Sequence, residues 1–131
     1  MRTLALIAAA SVLVCAPAFA GGPSISGKWG GEMRQIDPER ESKYPIMLSL
    51  SGAKGATTYP TLKCSGAWAR VGETKDGYVI YKETVTSEPG AACVDGVFTV
   101  RADAGKLIVG WFGASEGAPS LASAVLTREA K

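Results

Sequence analysis

Glycine and proline interrupt residues 21–131 every eight to twelve positions, and the segments between them alternate apolar with polar residues. No stretch of twelve residues combines helical periodicity with helix caps, so long helices are excluded. Short alternating runs bounded by turn residues read instead as an all-β barrel or sandwich. Residues 44–50 are the clearest strand: Ile46, Leu48 and Leu50 share one face, and Met47 and Ser49 take the other. Residues 26–35 form a first strand around Trp29. Residues 53–59 and 62–71 follow, separated by Pro60, which cannot donate to a ladder and belongs at an edge or bend. Three turns then precede three further strands: Lys75-Asp76-Gly77 before 77–87, Asp95-Gly96 before 97–102, and Asp103-Ala104-Gly105 before 106–112. Asp-Gly steps are strong hairpin signals. Residues 120–128 complete a count of about eight strands. The expectation is a small antiparallel up-and-down barrel, with a two-sheet β-sandwich as the alternative. Two segments depart from the tight-turn pattern: 36–43, densely charged, is expected to be a solvated loop, and 113–119, rich in Gly, Ala and Ser, a mobile one.

The first twenty residues stand apart from this rhythm. Arg2 is followed by an apolar run over 4–14 and by the small-x-small triplet Ala18-Phe19-Ala20. This is the pattern of a secretory signal peptide cleaved near Ala20/Gly21, with an apolar core too short to span a bilayer. Cys15 raises a lipoprotein alternative, but Val14 is bulky where such sites carry a small residue. The expected mature protein is one domain over 21–131, periplasmic or secreted, without a membrane anchor. Losing the leader leaves Cys64 and Cys93, which an oxidising compartment is expected to pair.

Charge and composition remove several functions. Without Arg2 the chain carries 13 basic and 12 acidic side chains and no basic cluster, so nucleic acid is not an expected partner. Histidine is absent. That excludes Ser-His and Cys-His nucleophile pairs and His-ligated zinc.

Two resemblances follow from particular residues. Gly27-Lys28-Trp29 at the first strand, with Arg128 at the end of the last, resembles the Gly-x-Trp and terminal Arg arrangement of calycins: lipocalins, avidins and certain bacterial protease inhibitors. The resemblance implies a barrel closed at one end by Arg128 packed across Trp29. A second set looks like a layout found in uncharacterised secreted bacterial domains: Tyr59-Pro60-Thr61-Leu62-Lys63-Cys64-Ser65-Gly66, Tyr81-Lys82-Glu83, Cys93-Val94-Asp95-Gly96 and Trp111. It supports the Cys64–Cys93 pairing and a complete single domain, and implies no activity.

Candidate site residues fall into three groups. Trp29, Trp68, Trp111, Tyr44, Tyr59, Tyr78, Tyr81, Phe98 and Phe112 are expected to fill the core of a narrow barrel rather than to line a cavity. Neighbours Trp111 and Phe112 point to opposite faces, so one of them faces outward as a candidate contact anchor. Asp37, Glu39, Arg40 and Glu41 lie on the charged segment, where an exposed loop can dock a partner; it lacks the internal Gly of a calcium loop. The carboxylates Glu32, Glu73, Glu83 and Asp95 are scattered, whereas a glycosidase needs two across a cleft. Glu83 is expected to pair with a lysine or face water. The segment 21–25 is short and expected to fray, although in the barrel inhibitors a free N-terminal arm enters the target. Together these predict an exported, non-catalytic binding protein without cofactor or metal, acting on a protein target such as a hydrolase. A small-ligand carrier is the alternative, and a carboxylate-dependent hydrolase a remote third.

Overall fold

The computed structural model describes residues 24–115 and 117–129, so the leader reading lies outside the described residues. Eight strands follow one another in chain order: β1 (Gly27–Asp37), β2 (Arg40–Ser51), β3 (Lys54–Tyr59), β4 (Cys64–Glu73), β5 (Val79–Ser87), β6 (Gly96–Asp103), β7 (Lys106–Ser115) and β8 (Ala118–Arg128). Each pairs antiparallel with its neighbour, and β1 also pairs with β8, so the sheet closes into an up-and-down barrel. Closure leaves neither edge strand open to pairing. The sandwich alternative is set aside.

Alternation decides what fills the interior. On β2 the inward residues are Tyr44, Ile46, Leu48 and Leu50, and on β7 Leu107, Val109, Trp111 and Gly113. The half of the barrel that holds the β2–β3, β4–β5 and β6–β7 turns is solid. Its layers include Trp29, Met33, Leu48, Val100, Leu107 and Leu126, all essentially inaccessible. At mid-height Trp68 stacks on Phe98 with ring centroids 4.1 Å apart, and Tyr81 leans on the same indole at 5.3 Å.

This solid end is sealed across the chain termini of the barrel. The Arg128 guanidinium lies 4.2 Å from the Trp29 ring and donates to the carbonyls of Ser24 and Ser26 at 2.8 and 2.7 Å. The Trp29 indole N–H donates to Ile25 O at 2.9 Å. Gly27, at φ 125°, sits where a side chain would meet the Arg128 guanidinium. Ser24–Ser26 is thereby strapped over the barrel end, while residues 21–23 of the expected arm lie outside the described residues.

Three turn assignments need correction. The charged segment 36–43 is mostly strand: β1 and β2 run on to a tight turn at Pro38-Glu39, with Asp37 opposite Arg40. Its charges do not force a loop because they pair within the ladder, Glu41 with Arg34 on the outer wall at 2.5 Å and Arg40 with Asp37 at the mouth at 3.6 Å. Likewise 113–119 is paired as far as Ser115 opposite Ala118. Asp95-Gly96 is not a hairpin turn. The chain turns earlier, at Pro89-Gly90, and Gly96 is already the first ladder position of β6, opposite Glu83 and Gly113. Asp103-Ala104-Gly105-Lys106 is the tight hairpin expected, with Ala104 and Gly105 both at positive φ.

Cys64 at the start of β4 is bonded to Cys93 in the connection between β5 and β6, with Cα atoms 6.5 Å apart. The loop-entropy relation assigns such a crosslink roughly 3.5 kcal/mol. A disulfide fits an oxidising compartment. Among the described residues no helix is long and apolar enough to cross a membrane.

Arg128→Ala removes the cation–π contact and both carbonyl hydrogen bonds. Urea denaturation is expected to show a loss of about 1–2 kcal/mol, and Arg128→Lys to recover only part of it, because a lysine cannot stack and bridge at once.

Candidate functional site

The opposite end of the barrel is hollow. The inward residues of β8 read Leu126, Ala124, Ala122 and Ser120 from the solid end outward, and those of β4 read Trp68, Gly66 and Cys64. Beyond Leu126 and Trp68 the inward side chains of these two strands are small, and a cavity of about 360 Å³ lies at this end. Its walls are Tyr44, Tyr59, Glu83, Val85 and Trp111 from the barrel, Leu62 from the β3–β4 connection, and Ala92, Cys93 and Val94 from the β5–β6 connection. Gln35, Arg40 and Lys43 also border it. Asp37, Glu39, Arg40 and Ser120 line an adjoining, more open depression of about 510 Å³, which shares Gln35, Arg40, Ala92 and Val94 with the first.

The expectation that the aromatics fill the core holds for most of the set: Tyr44, Tyr59 and Trp111 are buried in the same cluster as the others and in addition border the cavity. Trp29, Trp68, Tyr81 and Phe98 are core alone, whereas Tyr44, Tyr59 and Trp111 are core residues with one side turned to the cavity. Tyr78 is half-buried beneath Arg101, 4.7 Å from its ring centroid. Trp111 points inward at 8 % exposure and Phe112 outward at 52 %, as neighbours on a strand must. The inward turn of Trp111 depends on two glycines. A Cβ at Gly96 or Gly113 would collide with its indole, so both positions are left bare to seat the ring.

Glu83 is the main correction. It neither pairs with a lysine nor faces bulk water: it is 1 % exposed and points into the barrel. Its Oε2 accepts hydrogen bonds from Thr57 Oγ1 at 2.5 Å, Tyr59 Oη at 2.7 Å and Trp68 Nε1 at 3.0 Å. A buried carboxyl without such partners would cost several kcal/mol. Space for it comes from Gly66, where any Cβ would overlap both the Glu83 carboxyl and the Thr57 hydroxyl. Sequence reasoning missed this group, although Tyr81, Glu83 and Val85 share a face of β5 and Lys82 and Thr84 share the other.

A second polar chain runs along the rim. Tyr44 Oη donates to Gln35 Oε1 at 2.7 Å, Gln35 Nε2 donates to Asp37 Oδ1 at 2.9 Å, and the Ser120 hydroxyl donates to the same carboxylate oxygen. Asp37 and Arg40 thus hold each other and the mouth together, while Glu39 lies exposed on the turn. Burial, then the negative charges of Glu83 and Asp37, push the Tyr44 phenol up to about 12. Tyr59 is pushed up as well, by burial first and by Glu83 second. Both phenols therefore act as donors throughout the physiological range. Of the other carboxylates considered, Glu32 is exposed on β1, Glu73 pairs with Arg70 at 2.9 Å on the outer surface, and Asp95 accepts from the Val85 amide at 2.7 Å. Among the described residues no cluster of acidic or cysteine side chains could hold a metal ion.

Comparison with protein families, with curated proteins and with solved structures finds no match for this chain. The site must be read from its own chemistry.

Two outcomes are expected. Gly66→Ala drives a methyl into the Glu83–Thr57 contact, and urea melts should show a loss of about 2–3 kcal/mol. Alkaline pH should also unfold the barrel early. Unfolded tyrosines ionise near pH 10, whereas native Tyr44 holds its proton to about 12. Stability is thus complete below about pH 10 and falls above it, by up to about 1.4 kcal/mol per pH unit for each tyrosine held protonated. Tyr44→Phe should flatten that decline in urea midpoints measured from about pH 9 to about pH 12.

Proposed function

We propose that this is an exported, non-catalytic binding protein that holds a small ligand in the open end of its barrel. The observation that carries the reading is the hollow beyond the Trp68–Phe98 layer, bounded by Tyr44, Tyr59, Trp111 and Glu83. Its volume of about 360 Å³ lies in the range of small-molecule sites. Its composition does too, with apolar and aromatic walls and a few polar groups already fixed by their neighbours. The pattern of residues 1–20 and the disulfide support a location in the periplasm or outside the cell.

A protein target, favoured by the sequence, remains a second reading with its own observation. Val97, Phe112, Leu121 and Ile36 stand directly opposite one another across β6, β7, β8 and β1, exposed by 41, 52, 57 and 53 %. Such a continuous apolar row on the outer wall suits a protein contact. Phe112, not Trp111, is the anchor in that reading.

Native mass spectrometry of the protein purified gently from its own host separates the two. The small-ligand reading expects an adduct of at most a few hundred daltons, lost when Trp111→Ala opens the cavity wall. A complex heavier by a whole polypeptide, dissociated by Phe112→Ser and indifferent to Trp111→Ala, would replace it with the second reading.

A further inference from the structure

Glu83 is only half used. All three of its donors, Thr57, Tyr59 and Trp68, converge on Oε2. Among the described residues no hydrogen bond reaches Oε1, yet no buried side-chain oxygen or nitrogen lacks a partner. Oε1 therefore holds part of the 1 % of Glu83 that stays exposed, and the space that Glu83 borders is the cavity. Val85, two residues nearer the mouth on the same strand face, also lines it, which puts the free oxygen at the inner end.

The donors are a hydroxyl, a phenol and an indole, all neutral, and no salt bridge reaches Glu83 among the described residues. A carboxylate taken this far from water gains most from a positive partner, and a charge-assisted N–H···O bond is roughly twice as strong as a neutral one. The rings of Trp111, Tyr44 and Tyr59 border the same space and are compatible with a cation. Building on the small-ligand reading, we infer that the ligand enters with a cationic nitrogen first, a primary amine, amidinium or guanidinium, whose N–H bonds to Glu83 Oε1. Arg40, held by Asp37, and Lys43 border the same cavity. They disfavour a second positive end on the ligand and suit a neutral or anionic one.

The isosteric substitution Glu83→Gln tests this directly. Its amide oxygen can take the place of Oε2 and keep all three donors satisfied, while its NH₂ faces the cavity and replaces an acceptor with a donor. Benzylamine, benzyl alcohol and benzoate are titrated at neutral pH, following the Trp111 indole N–H by NMR. Benzylamine is expected to bind roughly tenfold or more tighter than benzyl alcohol, the margin of a charge-assisted over a neutral hydrogen bond. Glu83→Gln should erase that margin and leave benzyl alcohol unaffected. Benzyl alcohol or benzoate binding as tightly as benzylamine, or an amine affinity unchanged in Glu83→Gln, overturns the inference and leaves the small-ligand reading standing. No response of Trp111 to any of the three overturns both. The comparison of probes on the unmodified protein decides the matter even if the variant does not fold.

Discussion

An eight-stranded barrel is only just wide enough for side chains to meet across its axis, so the size of the inward residue at each level makes that level solid or hollow. In this chain two strands carry only small inward residues toward one end. On β8 the inward positions run from Leu126 through two alanines to Ser120, and on β4 from Trp68 to Gly66. Near Trp29, Met33, Leu48 and Leu126 the rings and branched chains interlock, and the Arg128 strap closes that end. Past the stacked Trp68 and Phe98 there is nothing large enough on β4 or β8 to reach the far wall. The small inward residues of β4 and β8 thus leave the open end unfilled although Tyr44 and Trp111 reach into it from other strands.

Within that hollow the polar groups are arranged so that the barrel does not need the cavity to be filled. The Glu83–Thr57–Tyr59–Trp68 cluster ties β3, β4 and β5 together from inside, and the Tyr44–Gln35–Asp37–Ser120 chain ties β1, β2 and β8. Among the described residues each fully buried side-chain oxygen and nitrogen has a partner. An apolar residue at position 83 would fill space more cheaply, since a buried charged group rarely adds net stability over a well-packed hydrocarbon. The glycine at position 66, which makes room for the carboxyl, gives up strand propensity and packing of its own. Two local disadvantages that meet at one carboxyl are accounted for by the proposed ligand site better than by stability.

The strands were legible because alternation and turn residues are local signals. Ile46, Leu48 and Leu50 read as one face and lie on one face; Asp103-Ala104-Gly105 read as a hairpin and is one. Cys64 and Cys93 pair as expected, and Arg128 sits over Trp29. Composition misleads where it conflicts with alternation. Residues 36–43 looked like a loop for their charges, although Arg34 and Glu41 can satisfy each other across two strands without leaving the ladder. The charge of Glu83 suggests a lysine partner or water, although Tyr81 and Val85 mark its face of β5 as inner. What no local signal could show is the convergence of Thr57, Tyr59 and Trp68 on one oxygen. That depends on the registers Thr57 opposite Gly66 and Trp68 opposite Glu83, which only the assembled sheet defines.

The disulfide makes most sense in terms of the same end of the barrel. The connection between β5 and β6, residues 88–95, is the longest in the fold, and the barrel ladder is complete without it. It is nonetheless fastened along its length. The Glu88 amide donates to Lys63 O at 3.1 Å, Ala91 turns back onto Glu88 at 3.0 Å, Cys93 is bonded to Cys64, and Asp95 accepts from the Val85 amide at 2.7 Å. Ordering eight residues costs on the order of 1–2 kcal/mol each in backbone entropy. A loop with no further role would gain little from being held so firmly. This one carries Ala92, Cys93 and Val94 to the cavity and Ala91 to the core beside it. The crosslink therefore fixes the wall that the eight strands cannot supply, and the pocket is rigid on the side where a barrel of this size is open.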